Sequence, residues 1–360
     1  MSSPSTPRLN AREGGSAPTP KASGRLRLNP QATAPGLPSG IAPRVAIIIP
    51  LHRDTSGFRE CLRACLAIDY PSFEVVVVSD VGVPLPGRAK LVLSGAGRDT
   101  APGEKRDLGM HSTNSDFFAF IDDDAKPRPD WLAQAMRLFA NDDIGAVAGP
   151  GITPPLSVWS ERAGGAFYES WIGSGPYRYR FRPGRRRYVD DYPAYNLIVR
   201  RTAAEHVKGW GTGFYGGEDT VICLALVEVG WRIVYDPNVV VYHRRRPILI
   251  RHLAQVANVG RHRGYFVKAY PKTSLRPSYF LPSVGTAALL GLGIASLSIP
   301  SARTLLAVAV SAYVLTGAIV GLVEQRNVTV AIALPEIALL SHVVYGVQFI
   351  RGLFTRRLDR

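Results

Sequence analysis

Short apolar runs alternate with mixed segments through most of the chain, and long apolar stretches follow near its end. Residues 45–50 (VAIIIP), 74–80 (EVVVVSD), 117–121 (FFAFI) and 144–149 (IGAVAG) are apolar at successive positions and rich in β-branched or aromatic residues. That pattern predicts strands covered on both faces. A shorter strand is expected at 90–93. Helices are expected at 57–67, from 103 onward and at 129–140. After a less regular stretch at 151–190, strands follow at 195–199, 231–235 and 239–242, with helices at 201–207 and 220–229. Apolar strands alternating with helices imply an α/β fold, a mainly parallel sheet with helices on both faces.

The two ends of the chain read differently. Residues 1–42 are rich in Ser, Pro, Ala, Gly and Arg and poor in large apolar residues. Such a segment buries too little surface to offset the entropy of ordering, so a disordered basic tail without a signal-peptide core is expected. Residues 248–270 interleave Arg251, His252, Arg261, His262, Arg263 and Lys268 with Leu253, Val256, Tyr265 and Phe266. This reads as a basic helix, either lying on an anionic membrane surface or simply solvated. Stretches 280–299, 304–323 and 328–350 are each about long enough to cross a bilayer. Pro335, Glu336 and His342 weaken the third, and the arginines after residue 350 favour an even number of crossings, so two or three transmembrane helices are expected. The domain plan is thus a tail at 1–42, an α/β domain at 43–246, a basic juxtamembrane segment at 247–279, membrane helices within 280–350 and a basic tail at 351–360.

Composition narrows the partners. The formal net charge of +15 suits nucleic acid, an anionic membrane surface or a phosphorylated substrate. The three cysteines lack zinc-ligand spacing, and Cys61 and Cys65 lie four apart on a predicted helix among Phe58, Leu62 and Leu66. They read as reduced core residues, which fits a reducing compartment.

In open α/β sheets, ligands sit at the carboxyl ends of the strands. His52, Asp80 and Asp122-Asp123-Asp124 all fall at such ends. Three adjacent carboxylates suit a divalent cation, Mg²⁺ or Mn²⁺, bridging to phosphates; equally, Asp124 or Asp130 could cap the helix near Pro129. Lys105 and Arg106, at a predicted helix start, reach either a pyrophosphate or solvent. Gly216-Gly217 permit a tight turn, after which Glu218 and Asp219 are either dipole-favoured capping acids or a general base aimed into the crevice. His243 ends a strand and is either structural or a metal ligand. Arg185-Arg186-Arg187 form a solvated loop or face lipid headgroups or an anionic acceptor.

Four segments carry a resemblance: VAIIIPLHRD (45–54), CLRACLAIDYPSFEVVVVSD (61–80), GEKRDLGMHSTNSDFFAFIDDDAKPRPDWL (103–132) and GGEDTVICLALVEVGWRIVYDPNVVVYH (216–243). In order and spacing, over about 45–245, they resemble the inverting family 2 glycosyltransferases of the GT-A (Rossmann-like) fold. The resemblance implies that Pro50 and His52 line the nucleotide pocket, Asp80 hydrogen-bonds the base, Arg106 sits near the pyrophosphate, and Asp123 lies beside the nucleotide-sugar. It implies that Asp122 and Asp124 are the D-x-D pair that meets the metal, with Asp124 the direct ligand and His243 completing the site. It makes Asp219 the catalytic base, with Glu218 beside it at the acceptor. Leu51-His52 stand where Tyr-Asn is common, Asp107 where Asn is common, and Val81-Gly82 where Asp-Gly is common. These departures bear on base recognition and donor preference. The Q-x-x-R-W of processive synthases is absent after the Glu-Asp pair, which points to one sugar per encounter.

The layout of α/β domain, basic link and C-terminal membrane segments resembles bacterial envelope-polysaccharide transferases of the succinoglycan type. The resemblance therefore implies transfer from a nucleotide-sugar, a UDP-sugar by preference, to a polyprenyl-linked saccharide. The enzyme would sit at the bacterial inner membrane with its catalytic domain in the cytoplasm, and nucleic acid would not be a partner. Two alternatives are a polyprenyl-phosphate sugar synthase and, from another class, a metal-dependent nucleotidyltransferase.

Overall fold

The computed structural model describes residues 42–95, 100–211 and 216–358. All but the last residue of the tail expected at 1–42 lies outside them, as do residues 359–360. The chain enters on β1 (Val45–Leu51), α1 (Ser56–Leu66), β2 (Phe73–Ser79), β3 (Ala89–Leu93), α2 (Pro102–His111) and β4 (Phe117–Phe120). The helix boundaries follow local chemistry. Thr55 caps α1 by accepting from the Phe58 amide at 3.1 Å, and Pro102 sits in the first turn of α2, where a missing N–H costs nothing.

Beyond β4 the chain makes β5 (Ala125–Pro127), α3 (Trp131–Met136), β6 (Ile144–Ala148), β7 (Gly151–Ile152), α4 (Trp159–Glu169) and α5 (Trp171–Ser174). The helix expected at 129–140 is shorter: α3 ends at Met136 and gives way to a 3₁₀ turn at Leu138–Ala140. Next come β8 (Arg187–Val189), β9 (Leu197–Arg200), α6 (Arg201–His206), α7 (Glu218–Glu228), β10 (Arg232–Tyr235) and β11 (Val241–His243).

Eight strands form the main sheet in the order β3-β2-β1-β4-β9-β6-β10-β8. Its pairs are parallel except where β9 runs against β4 and β6 and where β8 closes the edge against β10. The mainly parallel sheet is as expected. One apolar core fills each face, with Ile47, Ile49 and Trp131 on one side and Ile48, Phe120 and Trp210 on the other. The strand expected at 239–242 does not join this sheet. It becomes β11, which pairs with β5 and β7 in a separate three-stranded sheet. An apolar pattern identifies a strand but not its partner, and β5 and β7 are too short for a pattern to show.

The C-terminal part comprises α8 (Ile250–Ala269), α9 (Pro271–Ser274), α10 (Pro277–Ser296), α11 (Pro300–Gln325) and α12 (Val328–Phe354). Among the described residues, α10, α11 and α12 are long and apolar enough to cross a membrane. Helix α12 continues through Pro335 and takes in Arg351. Helix α8 packs against α12 so closely that a Cβ on Gly264 would lie 2.0 Å from the Phe349 carbonyl oxygen. Small residues allow such backbone contact between helices. This corrects part of the expectation for 248–270. Two of its basic side chains turn into the protein: His252 meets the Ser341 hydroxyl at 2.9 Å, and Arg263 pairs with Asp191 at 2.6 Å. Burial pushes His252 down to about 4, so it is neutral. Arg251 and Lys268 stay exposed. Spacing along a helix marks a polar stripe without saying whether protein or solvent covers it.

Candidate active site

Asp122, Asp123 and Asp124 follow β4 directly, and the chain then turns into β5 in the second sheet. Strand β11 pairs antiparallel with β5 in a register that sets His243 opposite Ala125. A histidine more than a hundred residues away is thereby delivered beside Asp124. His243 Nε2 lies 3.1 Å from Asp124 Oδ1 and 3.9 Å from Asp122 Oδ2. The imidazole stacks on the Tyr195 ring, with centroids 4.7 Å apart and planes at 15°. Arg245 Nη1 lies 3.3 Å from its Nδ1. The capping alternative fails here. Asp124 precedes a strand, and Asp130 makes no side-chain cap bond but pairs with Arg128.

One ligand atom each from Asp122, Asp124 and His243 lies within 4.8 Å of the others. Two carboxylates and an imidazole suit a divalent cation. The charge balance agrees. Burial raises Asp122 despite Arg106 and His243, and burial with the two neighbouring carboxylates pushes Asp123 up to about 6. For Asp124, burial also favours protonation, but His243 and Arg246 outweigh it and hold it at about 2. A bound cation would relieve this crowding.

On the opposite side of the crevice, Gly216 and Gly217 adopt φ of +103° and +82°, and Gly217 caps α7 in the left-handed region. A Cβ on Gly217 would also lie 2.7 Å from the Phe266 ring of α8. The turn expected from these glycines is present, and it places Glu218 and Asp219 at the start of α7. The two acids differ. Arg106 Nη1 donates to Glu218 Oε1 at 2.8 Å, and its Nη2 donates to Asp122 Oδ1 at 3.1 Å. The buried guanidinium lies over Trp210, 4.6 Å from the ring centroid. Arg106 thus ties the metal-type cluster to the Glu-Asp turn. Asp219 accepts only from the Thr220 amide, at 2.8 Å, and has no ion-pair partner among the described residues. Burial, with Glu218 and Asp191 nearby, pushes it up to about 7.

The remaining positions lie at the ends of β1 and β2. Pro50 is the penultimate residue of β1, opposite Val78. The His52 amide lies 3.5 Å from Asp123 Oδ2. Asp80 accepts from Ser94 and lies 2.7 Å from Lys105 Nζ, which also donates to the Leu51 carbonyl at 2.7 Å. Burial opposes ionisation of Asp80, yet Lys105, Ser94 and Thr100 hold it well below the usual carboxylate range. The solvent reading of Lys105 is corrected: it is buried and joins β1 to the residue after β2.

The structure therefore joins Asp122, Asp124, His243, Arg106 and Glu218 through direct contacts, with Asp219 next to Glu218 in the chain and the His52 amide beside Asp123. Several contributors escaped the sequence. Trp210 lies in a loop whose backbone amide is held by Asp107 at 2.9 Å. Tyr195 orients His243. Asp191 accepts from Thr220, Arg263 and Arg180. Nothing in the Asp190-Asp191 pair points to partners in segments read as a loop and a membrane-surface helix.

No family model matches the chain. Pre-mycofactocin glycosyltransferases of two Mycobacterium tuberculosis strains, CDC 1551 / Oshkosh and ATCC 25618 / H37Rv, are each 28% identical to it over 246 residues. The match covers 66% of this chain and 50% of each relative, so the chain spans about half the length of the curated relatives it matches. Among solved structures, the mannosyltransferase PcManGT from Pyrobaculum calidifontis, in complex with GDP-Man and Mn²⁺, is similar at a TM-score of 0.57 and 18% identity. That likeness covers 88% of this chain and 89% of the other. It shows a shared GT-A-like fold, an α/β sheet of mainly parallel strands.

Proposed function

We propose that this chain is a membrane-anchored inverting glycosyltransferase that moves a sugar from a nucleotide-diphospho-sugar, a UDP-sugar by preference, to a lipid-linked saccharide. The observation that carries the reading is the pairing of two unlike carboxylate groups across one crevice: Asp122 and Asp124 with His243 on one side, and Asp219 on the other, joined through Arg106. The GT-A-like fold and the glycosyltransferase relatives support it.

A divalent ion, Mg²⁺ or Mn²⁺, held by Asp122, Asp124 and His243 would neutralise the diphosphate of the donor. Pro50, His52, Asp80 and Asp123 then border the nucleotide. Arg106 keeps Asp122 and Glu218 in fixed relation while itself remaining buried near the pyrophosphate. Asp219 takes the proton from an acceptor hydroxyl as that oxygen bonds to the anomeric carbon. The bond from that carbon to the diphosphate breaks, and the nucleoside diphosphate leaves with the electron pair. Attack from the face opposite the leaving group inverts the carbon. Glu218 is unsuited to the proton transfer because Arg106 already occupies it.

Screening nucleotide-sugars with Mn²⁺ or Mg²⁺ for release of nucleoside diphosphate tests the reading. A nucleotidyltransferase would instead release pyrophosphate. Lipid phosphate and lipid-linked saccharide acceptors, assayed side by side, separate the saccharide transferase from a polyprenyl-phosphate sugar synthase. A second reading takes pre-mycofactocin as acceptor, favoured by the identity to the curated relatives across 66% of the chain, and the same assay includes it. The positive charges that precede the first apolar helix, among them Lys268, Lys272 and Arg276, support a catalytic domain on the cytoplasmic side of a bacterial inner membrane.

A further inference from the structure

A cavity of about 640 Å³ lies between the α4–α5 region and helices α8, α10, α11 and α12. Its volume is in the range of small-molecule sites. Gly285 and Leu289 of α10, Val310 of α11 and Leu339 of α12 line its apolar part. Leu281, also in the lining, is 67% exposed and Val310 is 38% exposed, so this wall is continuous with the outer surface of the apolar helices.

The other end of the cavity is cationic. Arg180 and Arg263 line it and share a single carboxylate, Asp191, with Nη2–Oδ2 distances of 3.3 and 2.6 Å. Two guanidinium groups thus converge on one buried carboxylate, with Asp219 a further acid acting on Arg263. Arg180 is buried, and its Nε has no hydrogen-bond partner among the described residues. The buried hydroxyl of Tyr345, also in the lining, has none either. Asp191 also accepts from Thr220 Oγ1 at 3.0 Å, and Thr220 directly follows Asp219. The cationic end of the cavity is therefore one hydrogen bond from the residue beside the proposed base.

We propose that this cavity seats the hydrocarbon chain of the lipid-linked saccharide acceptor, and that Arg180 and Arg263 take the phosphate that joins the chain to its sugar. The inference rests on the glycosyl-transfer reading and names the place of its acceptor. Arginine suits the role because its planar fork matches phosphate oxygens. The chain lies along the apolar helices and continues into lipid past Leu281, while the head group is directed toward Asp219.

The test is photolabelling of the full chain in detergent by a photoactivatable undecaprenyl phosphate, with no nucleotide-sugar present. Labelled peptides should map to α10, α11 or α12. Unlabelled undecaprenyl phosphate should compete, and undecaprenol and geranyl phosphate should compete at least about tenfold less well. Gly285→Leu should cut labelling about tenfold or more, because a Cβ there meets nothing within 4 Å and the added side chain enters the cavity without a clash. Arg263→Gln should remove the preference for the phosphate over the neutral prenol. Labelling that maps elsewhere, equal competition by undecaprenol, or labelling indifferent to Gly285→Leu overturns the proposal. Competition by pre-mycofactocin and not by undecaprenyl phosphate does so too. Because labelling needs no donor, the proposal can fail while nucleoside diphosphate release by the wild type still supports glycosyl transfer, and the converse also holds.

Discussion

The two carboxylate groups of the crevice are built in opposite ways. In the Asp122–Asp124 corner, acids crowd together, and cationic neighbours keep Asp124 ionised at about 2. In the Glu218–Asp219 corner, Arg106 pairs with Glu218, and burial with Glu218 and Asp191 nearby leaves Asp219 at about 7 despite Arg263. The first arrangement suits holding positive charge, and the second suits taking up a proton near neutral pH. Arg106 reaches Asp122 and Glu218 but has no bond to Asp219, while His243 and Arg246 act on Asp124. Similar side chains thus acquire different chemistry from the charged groups placed around them.

Removal of the proton acceptor has the largest expected effect. Asp219→Asn should lower kcat by about 10³-fold, the middle of the range for general base catalysis. Arg106→Met tests whether the two corners depend on their link. It strands Asp122 and Glu218 beside an apolar side chain, and thermal or denaturant unfolding should show a loss of about 3–5 kcal/mol.

The pH profile sharpens the contrast without any substitution. Asp219 works only when deprotonated, and its value is raised to about 7. Transfer should therefore fall about tenfold per pH unit below 7 and level off above it. A plateau extending down to about pH 4 would show a carboxyl with its ordinary value. The smallest effect is expected at His243. A metal-binding imidazole usually donates its second N–H to an acceptor, whereas here Arg245, a donor, approaches Nδ1. His243→Ala should weaken metal binding about tenfold, less than Asp124→Asn, as read by calorimetric titration with Mn²⁺.

Much of the sheet and both acidic corners could be read in advance, for a physical reason. Strands covered on both faces leave unbroken apolar runs, and the crevice residues come directly after them. Asp122–Asp124 follow FFAFI, and Glu218-Asp219 follow two glycines that mark a tight turn. What escaped notice depends on pairing across the fold. The β5–β11 register that delivers His243 involves strands of three residues each. Lys105 looked free because Asp80, its partner, stands at the end of another strand. Arg263 looked like a headgroup contact because its carboxylate, Asp191, lies 72 residues away in an irregular stretch. Side-chain chemistry is visible along a chain, whereas charge pairing appears only once the fold has chosen the neighbours.

The division of labour between the corners is tested most directly by calorimetric titration of a nucleotide-sugar, with Mn²⁺ present, into Asp124→Asn and Asp219→Asn side by side. The account predicts that Asp219→Asn binds the donor as the wild type does, while Asp124→Asn binds it at least about tenfold more weakly. Normal donor binding by Asp124→Asn, or an equal loss in both variants, would contradict it.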